Sequence, residues 1–276
     1  MSTQHVVVGV DGSLIAVRAL DRAAQEAAAR GATLRIVHAV ADRDTAGPVL
    51  ASAAARVGEH HPGLPVVTTA SEAGTVRALV RESEGAALTV VGNRGLGGLT
   101  GLLVGSVGVR LAAHTHSPLL VVRGDHPCDG DRDVLLGLAG DADADAAAYA
   151  FQEAERRGAR LRVVHSWIHR HITPELPSPL PATSPGQREL ARRDAAEEAV
   201  PRFGMAELHE RYPAVTVEAR TVRTNPAHAL LEATREAGLA VVGVHHHPGR
   251  MRPRLGPVAH TLLHRSHCPV VFVPSG

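Results

Sequence analysis

The stretch Gly31-Ala32-Thr33-Leu34-Arg35-Ile36-Val37-His38 returns 127 residues later as Gly158-Ala159-Arg160-Leu161-Arg162-Val163-Val164-His165. Two further segments repeat at an offset of 151: Val90-Val91-Gly92 as Val241-Val242-Gly243, and Ser117-Pro118-Leu119-Leu120-Val121-Val122 as Cys268-Pro269-Val270-Val271-Phe272-Val273. Self-similarity of this kind marks two copies of one unit, and it sets the reading of everything between. The growth of the offset from 127 to 151 places 24 extra residues in the second copy, between its second strand and its later half.

Each copy alternates short β-branched runs with Ala- and Leu-rich stretches, the pattern of a parallel sheet covered by helices on both faces. The first copy predicts strands near 5–10, 33–40, 65–70, 88–92 and 118–123, with helices near 14–30, 50–60, 74–84 and 105–115. The second predicts strands near 133–138, 160–167, 215–222, 239–244 and 269–273, with helices near 142–157, 187–211, 226–237 and 256–265. The expected domains are 1–125 and 131–276, joined through the polar, turn-rich Gly124 to Asp131. An insertion at 168–186 carries Pro174, Pro177, Pro179, Pro181 and Pro185, too many for a helix or central strand, and reads as a loop over the second copy.

Composition narrows the chemistry. The 276 residues carry a formal charge of +1, which gives no electrostatic case for nucleic acid or an acidic membrane surface. All 29 basic residues are Arg, so neither a Schiff-base lysine nor a GxxxxGK[ST] phosphate loop can form. Cys128 and Cys268 have neither metal-ligand spacing nor the density of a disulfide scaffold, and read as structural residues in a reducing cytosol. A first strand from about His5 leaves no room for a signal peptide, and no apolar run approaches the roughly 20 residues of a membrane span. The expectation is a cytoplasmic protein without membrane or nucleic-acid partners.

The chemistry-bearing pattern lies in the first copy. Val8-Gly9-Val10-Asp11-Gly12-Ser13 leaves the first strand for an Ala-rich helix, placing Asp11 at a strand's carboxyl end, where open α/β sheets bind ligands. Gly92-Asn93-Arg94-Gly95 follows the apolar run Leu88-Thr89-Val90-Val91, and Gly105-Ser106 comes after a further nine-residue gap. A Gly-rich turn between a buried strand and a helix exposes backbone N–H groups to phosphate oxygens. If the strand order is 3-2-1-4-5, Asp11 faces the Gly92 loop across one crevice. Gly92 and Gly95 then allow close backbone approach, Ser106 is an N-cap, and Arg94 adds positive charge. Asp11 would repel phosphate and suits ribose hydroxyls or a bound Mg²⁺. Singly these features are ordinary, since Gly and Ser abound in βα loops and Asp before a helix is often a cap; their joint spacing is far more specific.

The pattern Gly92-x2-Gly95-x9-Gly105-Ser106, with Val8-Gly9-Val10-Asp11-Gly12-Ser13 and Ser117-Pro118-Leu119-Leu120-Val121-Val122, resembles the ATP-binding branch of the universal stress protein family, over nearly the whole chain as a tandem pair. The resemblance implies two Rossmann-like α/β domains (the adenine nucleotide alpha hydrolase-like fold), each with a five-stranded parallel sheet of order 3-2-1-4-5, ATP at the switch point and dimerisation through the last strand. Carried over by position, Asp11 would contact ribose or metal, Ala39 would flank adenine, and Gly92, Arg94, Gly95, Gly105, Ser106 and Val107 would line the phosphates. Gly9, Val10, Gly12 and Ser13 complete the nucleotide set. Ala39 stands where a larger aliphatic residue is usual, which loosens the adenine pocket.

The second copy keeps the spacing and loses the chemistry. Ala139 replaces the acid in Leu136-Gly137-Leu138-Ala139-Gly140-Asp141, and the later motif reads Gly243-x2-His246-x9-Gly256-Pro257. Proline has no N–H to donate, though it suits a helix's first turn. One nucleotide site per chain is the expectation. His245-His246-His247 raises a metal reading, but no carboxylate or thiolate stands at ligand spacing, so no metal is assigned. His60-His61 and His114-x-His116 read as solvated helix ends, and His38 and His165 as packing or hydrogen-bonding residues.

Three functions compete. The first is an ATP-binding regulatory module in which nucleotide shifts a conformational or assembly equilibrium. The second is a nucleotide-free scaffold whose copies pair through Leu119–Val122 and Val270–Val273, with function in protein contacts; this pairing would also cover two sheet edges, and a homodimer stays open. The third is a slow ATPase, for which Asp11 and Arg94 supply parts but no base motif is present.

Overall fold

The computed structural model describes residues 4–93, 106–123, 133–167, 192–193, 196–201, 204–245 and 255–275. In the first half β1 (His5–Val10), α1 (Leu14–Arg30), β2 (Thr33–Ala39), α2 (Gly47–His60), β3 (Val66–Ser71), α3 (Thr75–Glu82), β4 (Leu88–Gly92), α4 (Ser106–Ala112) and β5 (Leu119–Val122) follow in order. The second half gives β6 (Val134–Leu138), α5 (Ala144–Arg157), β7 (Leu161–Ser166), α6 (Ala206–Arg211), β8 (Val217–Val222), α7 (Pro226–Ala233), β9 (Leu239–Val244), α8 (Pro257–Arg265) and β10 (Val270–Pro274). Of the helix expected over 187–211, the described residues include a helical run at 196–201 and α6. The linker, the Pro-rich insertion and Cys128 lie outside the described residues, whereas Cys268 is buried.

The repeated octapeptide opens on the residue that stops a helix. Gly31 and Gly158 each cap the preceding helix in the left-handed conformation, at φ 59 in both cases, which a glycine adopts without a β-carbon clash. The β-branched and aliphatic residues that follow enter the sheet as β2 and β7. Alternate side chains take opposite faces: Val6 and Val8 join the core under α1 and α2, and Val7 the core under α3 and α4.

The strands run β3-β2-β1-β4-β5-β10-β9-β6-β7-β8, so each half has the expected 3-2-1-4-5 order. The halves form one ten-stranded sheet rather than two separate ones. β5 and β10 pair antiparallel at the seam, with Leu120 opposite Val271, Val121 opposite Val270 and Leu119 opposite Phe272. All other pairings are parallel. Leu120 and Val271 are themselves repeat equivalents, so a pseudo-two-fold axis passes through their pair. Each face of the sheet carries a core that continues from one half into the other.

Across the seam α1 and α5 are bound by charge. Glu26 pairs with Arg30 of its own helix and with Arg157 at 2.9 Å; Glu153 pairs with Arg157 at 2.9 Å and with Arg30. Glu26 and Glu153 differ by 127, as do Arg30 and Arg157, so the network obeys the pseudo-two-fold. It departs from symmetry at two equivalent pairs: Arg22 bonds Glu26 at 2.7 Å while its equivalent Tyr149 accepts from Arg30, and Arg156 pairs with Glu153 where the first copy has Ala29. Burial alone would raise the Glu26 carboxyl, but Arg22, Arg30 and Arg157 outweigh it and hold the group below its ordinary range. Burial and the neighbouring Glu153 push the Tyr149 hydroxyl upward.

Candidate functional site

From β1 the chain winds outward through β2 and β3, then returns to place β4 on the other flank of β1. The connections leaving β1 and β4 therefore diverge, and a crevice opens at the carboxyl ends of these two strands. Their register pairs Val6 with Leu88 and Val8 with Val90; continued by two residues it sets Val10 beside Gly92, and by three it sets Asp11 beside Asn93.

The turn after β1 is locally self-determined. The Asp11 carboxylate accepts the Ser13 N–H at 3.0 Å, and the Ser13 hydroxyl caps α1 by accepting the Ala16 N–H at 3.2 Å. Gly12 between them is exposed at φ 82, a conformation that favours glycine. Asp11 thus braces the turn while Ser13, and not Asp11, caps the helix. Val10 is buried, and its carbonyl accepts from His38 Nδ1 at 2.8 Å, which ties the end of β2 to the end of β1. In the second half His165 Nδ1 donates to the Leu138 carbonyl at 2.9 Å, the same strap. Both histidines lie within their strands and have the hydrogen-bonding role expected of them.

Gly9 has a packing duty apart from any ligand. A β-carbon there would lie 2.9 Å from Leu79 Cδ1 of α3, and one at its equivalent Gly137 would lie 2.7 Å from Leu230 Cδ1 of α7. Ala39 ends β2, half-buried, one position beyond the strand partner of Val10. Gly92 ends β4 beside Val122. Arg94, Gly95 and Gly105 lie outside the described residues; Ser106 is the first residue of α4 rather than the residue before it, and Val107 is half-buried against the core of that face.

Asn93 is the residue to which the motif reading gave no role. It is 2 % exposed, its N–H donates to the Val122 carbonyl, and its side-chain Oδ1 has no partner among the described residues. A buried amide oxygen without a donor is costly and rare. Its only signal in the sequence was an amide directly after the strand.

The second crevice is built differently. Asp143, from the turn after β6, is buried and accepts the Ala139 N–H at 2.6 Å through Oδ2. Its other oxygen, Oδ1, meets His245 Nε2 at 2.9 Å. A β-carbon on Gly243 would stand 2.2 Å from that Oδ1, so the surviving glycine of the degenerate motif makes room for an internal carboxylate. The carboxylate beside His245 comes from another strand's turn, which spacing along the chain could not reveal. Among the described residues no group of three or more His, Cys, Asp or Glu could hold a metal. His246 and His247 lie outside the described residues. Gly256 caps α8 and Pro257 occupies its first turn, so the helix start persists without the hydroxyl found in the first copy.

The fold and these crevices define a class: a tandem open-sheet α/β protein with a switch-point crevice in each half. The profile of the Universal stress protein family matches residues 2–123 and 132–274, and the chain belongs to that family. It is 34% identical over 293 residues to a universal stress protein of Mycolicibacterium smegmatis, with 97% of this chain and 96% of that protein covered. Two crystal structures share the fold: a functionally unknown protein from Pseudomonas aeruginosa PAO1 (TM-score 0.71, 14% identity, 99% and 93% covered) and a universal stress protein from Archaeoglobus fulgidus (TM-score 0.62, 16% identity, 100% of both chains). No helix among the described residues is long and apolar enough to cross a membrane.

Proposed function

We propose that the first half is an ATP-binding regulatory module with one nucleotide per chain, held at the switch point between β1 and β4. The observation that carries this reading is the contrast between the two crevices. In the first, Asp11, the exposed Gly12 turn and the buried Asn93 oxygen, which has no partner among the described residues, converge by strand register. In the second, a buried carboxylate stands where a ligand's anion would lie.

In this reading Gly9, Val10, Gly12 and Ser13 shape the turn, Asp11 meets ribose or a Mg²⁺ ion, and Ala39 flanks adenine. Gly92, Arg94, Gly95, Gly105, Ser106 and Val107 line the phosphates. ATP bound there supplies a polyanion and a purine whose differential contacts shift a conformational equilibrium. The protein acts in the cytoplasm, and its dimer contact is the internal β5–β10 seam, so any further homodimer uses another surface.

Acid release and chromatography of bound nucleotide, followed by ATP titration, tests the reading. About one adenine nucleotide per chain is expected, and Gly95→Glu should lose binding by setting a carboxylate against phosphate. Wild-type affinity in that variant would show the site assignment to be wrong. Failure of wild-type protein to bind ATP in the micromolar range would favour the scaffold reading, which the filled second crevice supports for half of the molecule.

A further inference from the structure

The buried carboxylate of the second crevice is the inner end of a relay. Asp143 Oδ1 lies 2.9 Å from His245 Nε2, and His245 Nδ1 lies 3.0 Å from the hydroxyl of Ser275. We propose that Asp143, His245 and Ser275 form a nucleophilic site that takes an acyl group from neutral or cationic carboxylic esters.

The arrangement meets the geometric requirement for an activated hydroxyl: a nucleophile within hydrogen-bond reach of a base, and a base oriented by a third group. The third group is itself fixed. Asp143 accepts the Ala139 N–H, and its own N–H donates to the Gly140 carbonyl at 3.0 Å. Its preference for the Nε2 proton leaves the Nδ1 lone pair toward Ser275. Exposure rises along the relay, from 4% for the Asp143 side chain to 34% for that of His245, with Ser275 half-buried. The charged end is thus protected and the reacting end is reachable.

All three residues are carried by one edge of the sheet. Asp143 follows β6, His245 follows β9 and Ser275 follows β10, strands that are adjacent in the order β10-β9-β6. The Ser275 N–H donates to the Val244 carbonyl at 3.1 Å, which extends the β9–β10 ladder and fixes the serine beside the histidine. The hydroxyl also lies 3.3 Å from the Ala142 carbonyl, a weaker alternative acceptor. The first copy has no equivalent residues: the apolar Leu14-Ile15-Ala16 at the start of α1 stands where the Asp143 turn lies, and Arg94 and Gly124 stand at the positions matching His245 and Ser275. The motif of the second copy was therefore replaced by a different constellation, not merely lost.

The chemistry is acyl transfer. Ser275 Oγ forms a bond to the ester carbonyl carbon while its proton passes to His245 Nδ1, and Asp143 stabilises the imidazolium. Collapse breaks the carbon–alkoxide bond, and the departing alcohol takes the proton from Nδ1. Water then attacks the acyl-serine with the same proton path and releases the acid. The substrate class follows from charge: Asp141 is exposed in the same turn as the buried Asp143, and the two carboxylates disfavour phosphoesters and other anions.

The test uses a neutral alkyl fluorophosphonate on the full chain, with the adduct located by peptide mass spectrometry. Attack by Ser275 forms an oxygen–phosphorus bond and expels fluoride. The expected result is a stoichiometric adduct on Ser275, absent in Ser275→Ala, with His245→Gln slowing labelling by about 100-fold. Melting curves confirm that each variant is folded; Asp143→Asn, which preserves volume, is the second variant and should slow labelling likewise. No adduct on Ser275 in folded wild-type protein would overturn the proposal. So would labelling as fast in His245→Gln as in the wild type.

Discussion

Asn93 carries the sharpest prediction at the scale of single residues. Its buried Oδ1, which has no partner among the described residues, sits at the crevice beside Asp11, and a ligand N–H is a partner that would remove its cost. Asn93→Ala is expected to weaken ATP binding about tenfold, equivalent to about 1.4 kcal/mol, in a calorimetric titration. Equal affinity in the variant would assign the amide a purely structural place. Gly137 makes a contrasting case, because its constraint is packing. A β-carbon there meets Leu230 Cδ1 at 2.7 Å and Val242 Cγ1 at 3.1 Å in a closed core, so Gly137→Ala should cost about 1–3 kcal/mol in urea unfolding and leave ATP affinity unchanged.

At the scale of elements, α1 and α5 hold the two halves through a buried ion network whose acids and bases repeat with the chain. The Glu26 carboxyl sits below its ordinary 4.5 because three guanidinium groups face it. The native state therefore binds fewer protons there than the unfolded state as pH falls past that value. Its stabilisation is complete above about pH 4.5 and disappears as pH drops through the lowered native value. Glu26→Gln should melt at a lower temperature at pH 7, since removing one partner of a buried network leaves its cations uncompensated, by about 3–5 kcal/mol. Between pH 5 and 3 its melting temperature should change less steeply than that of the wild type. A parallel pair of pH profiles would show that Glu26 titrates in the native protein as it does in the unfolded chain.

At the scale of the whole molecule, the antiparallel β5–β10 seam makes one sheet of two repeats and gives each face a core that runs through both halves. Cooperative unfolding of the described body in a single urea transition follows from that continuity. Leu120 sits on the pseudo-two-fold, 1 % exposed, opposite Val271. Leu120→Asp buries a carboxylate there without a partner and should split the transition into two, read by circular dichroism. A single transition with only a lower midpoint would mean that the α1–α5 network suffices to couple the halves.

The sequence by itself determined the repeat and the element types, because these depend on local signals: hydrophobic periodicity, helix-stopping glycines, and the Asp11-Gly12-Ser13 turn; the 3-2-1-4-5 strand order of each half was implied only by the family resemblance, and the structure shows it. The sequence also marked the first crevice, since Asp11 and Gly92 sit at strand ends that the topology makes neighbours. The tertiary structure alone decided the rest. The fusion of two sheets into one, the Glu26–Arg157 and Glu153–Arg30 crossings, and the Asp143–His245 contact of the relay all join residues about 100 or more positions apart. Hydrogen bonding and charge pairing act over a few ångströms in space, so partners brought together by a crossover or a pseudo-two-fold leave no spacing in the chain to read.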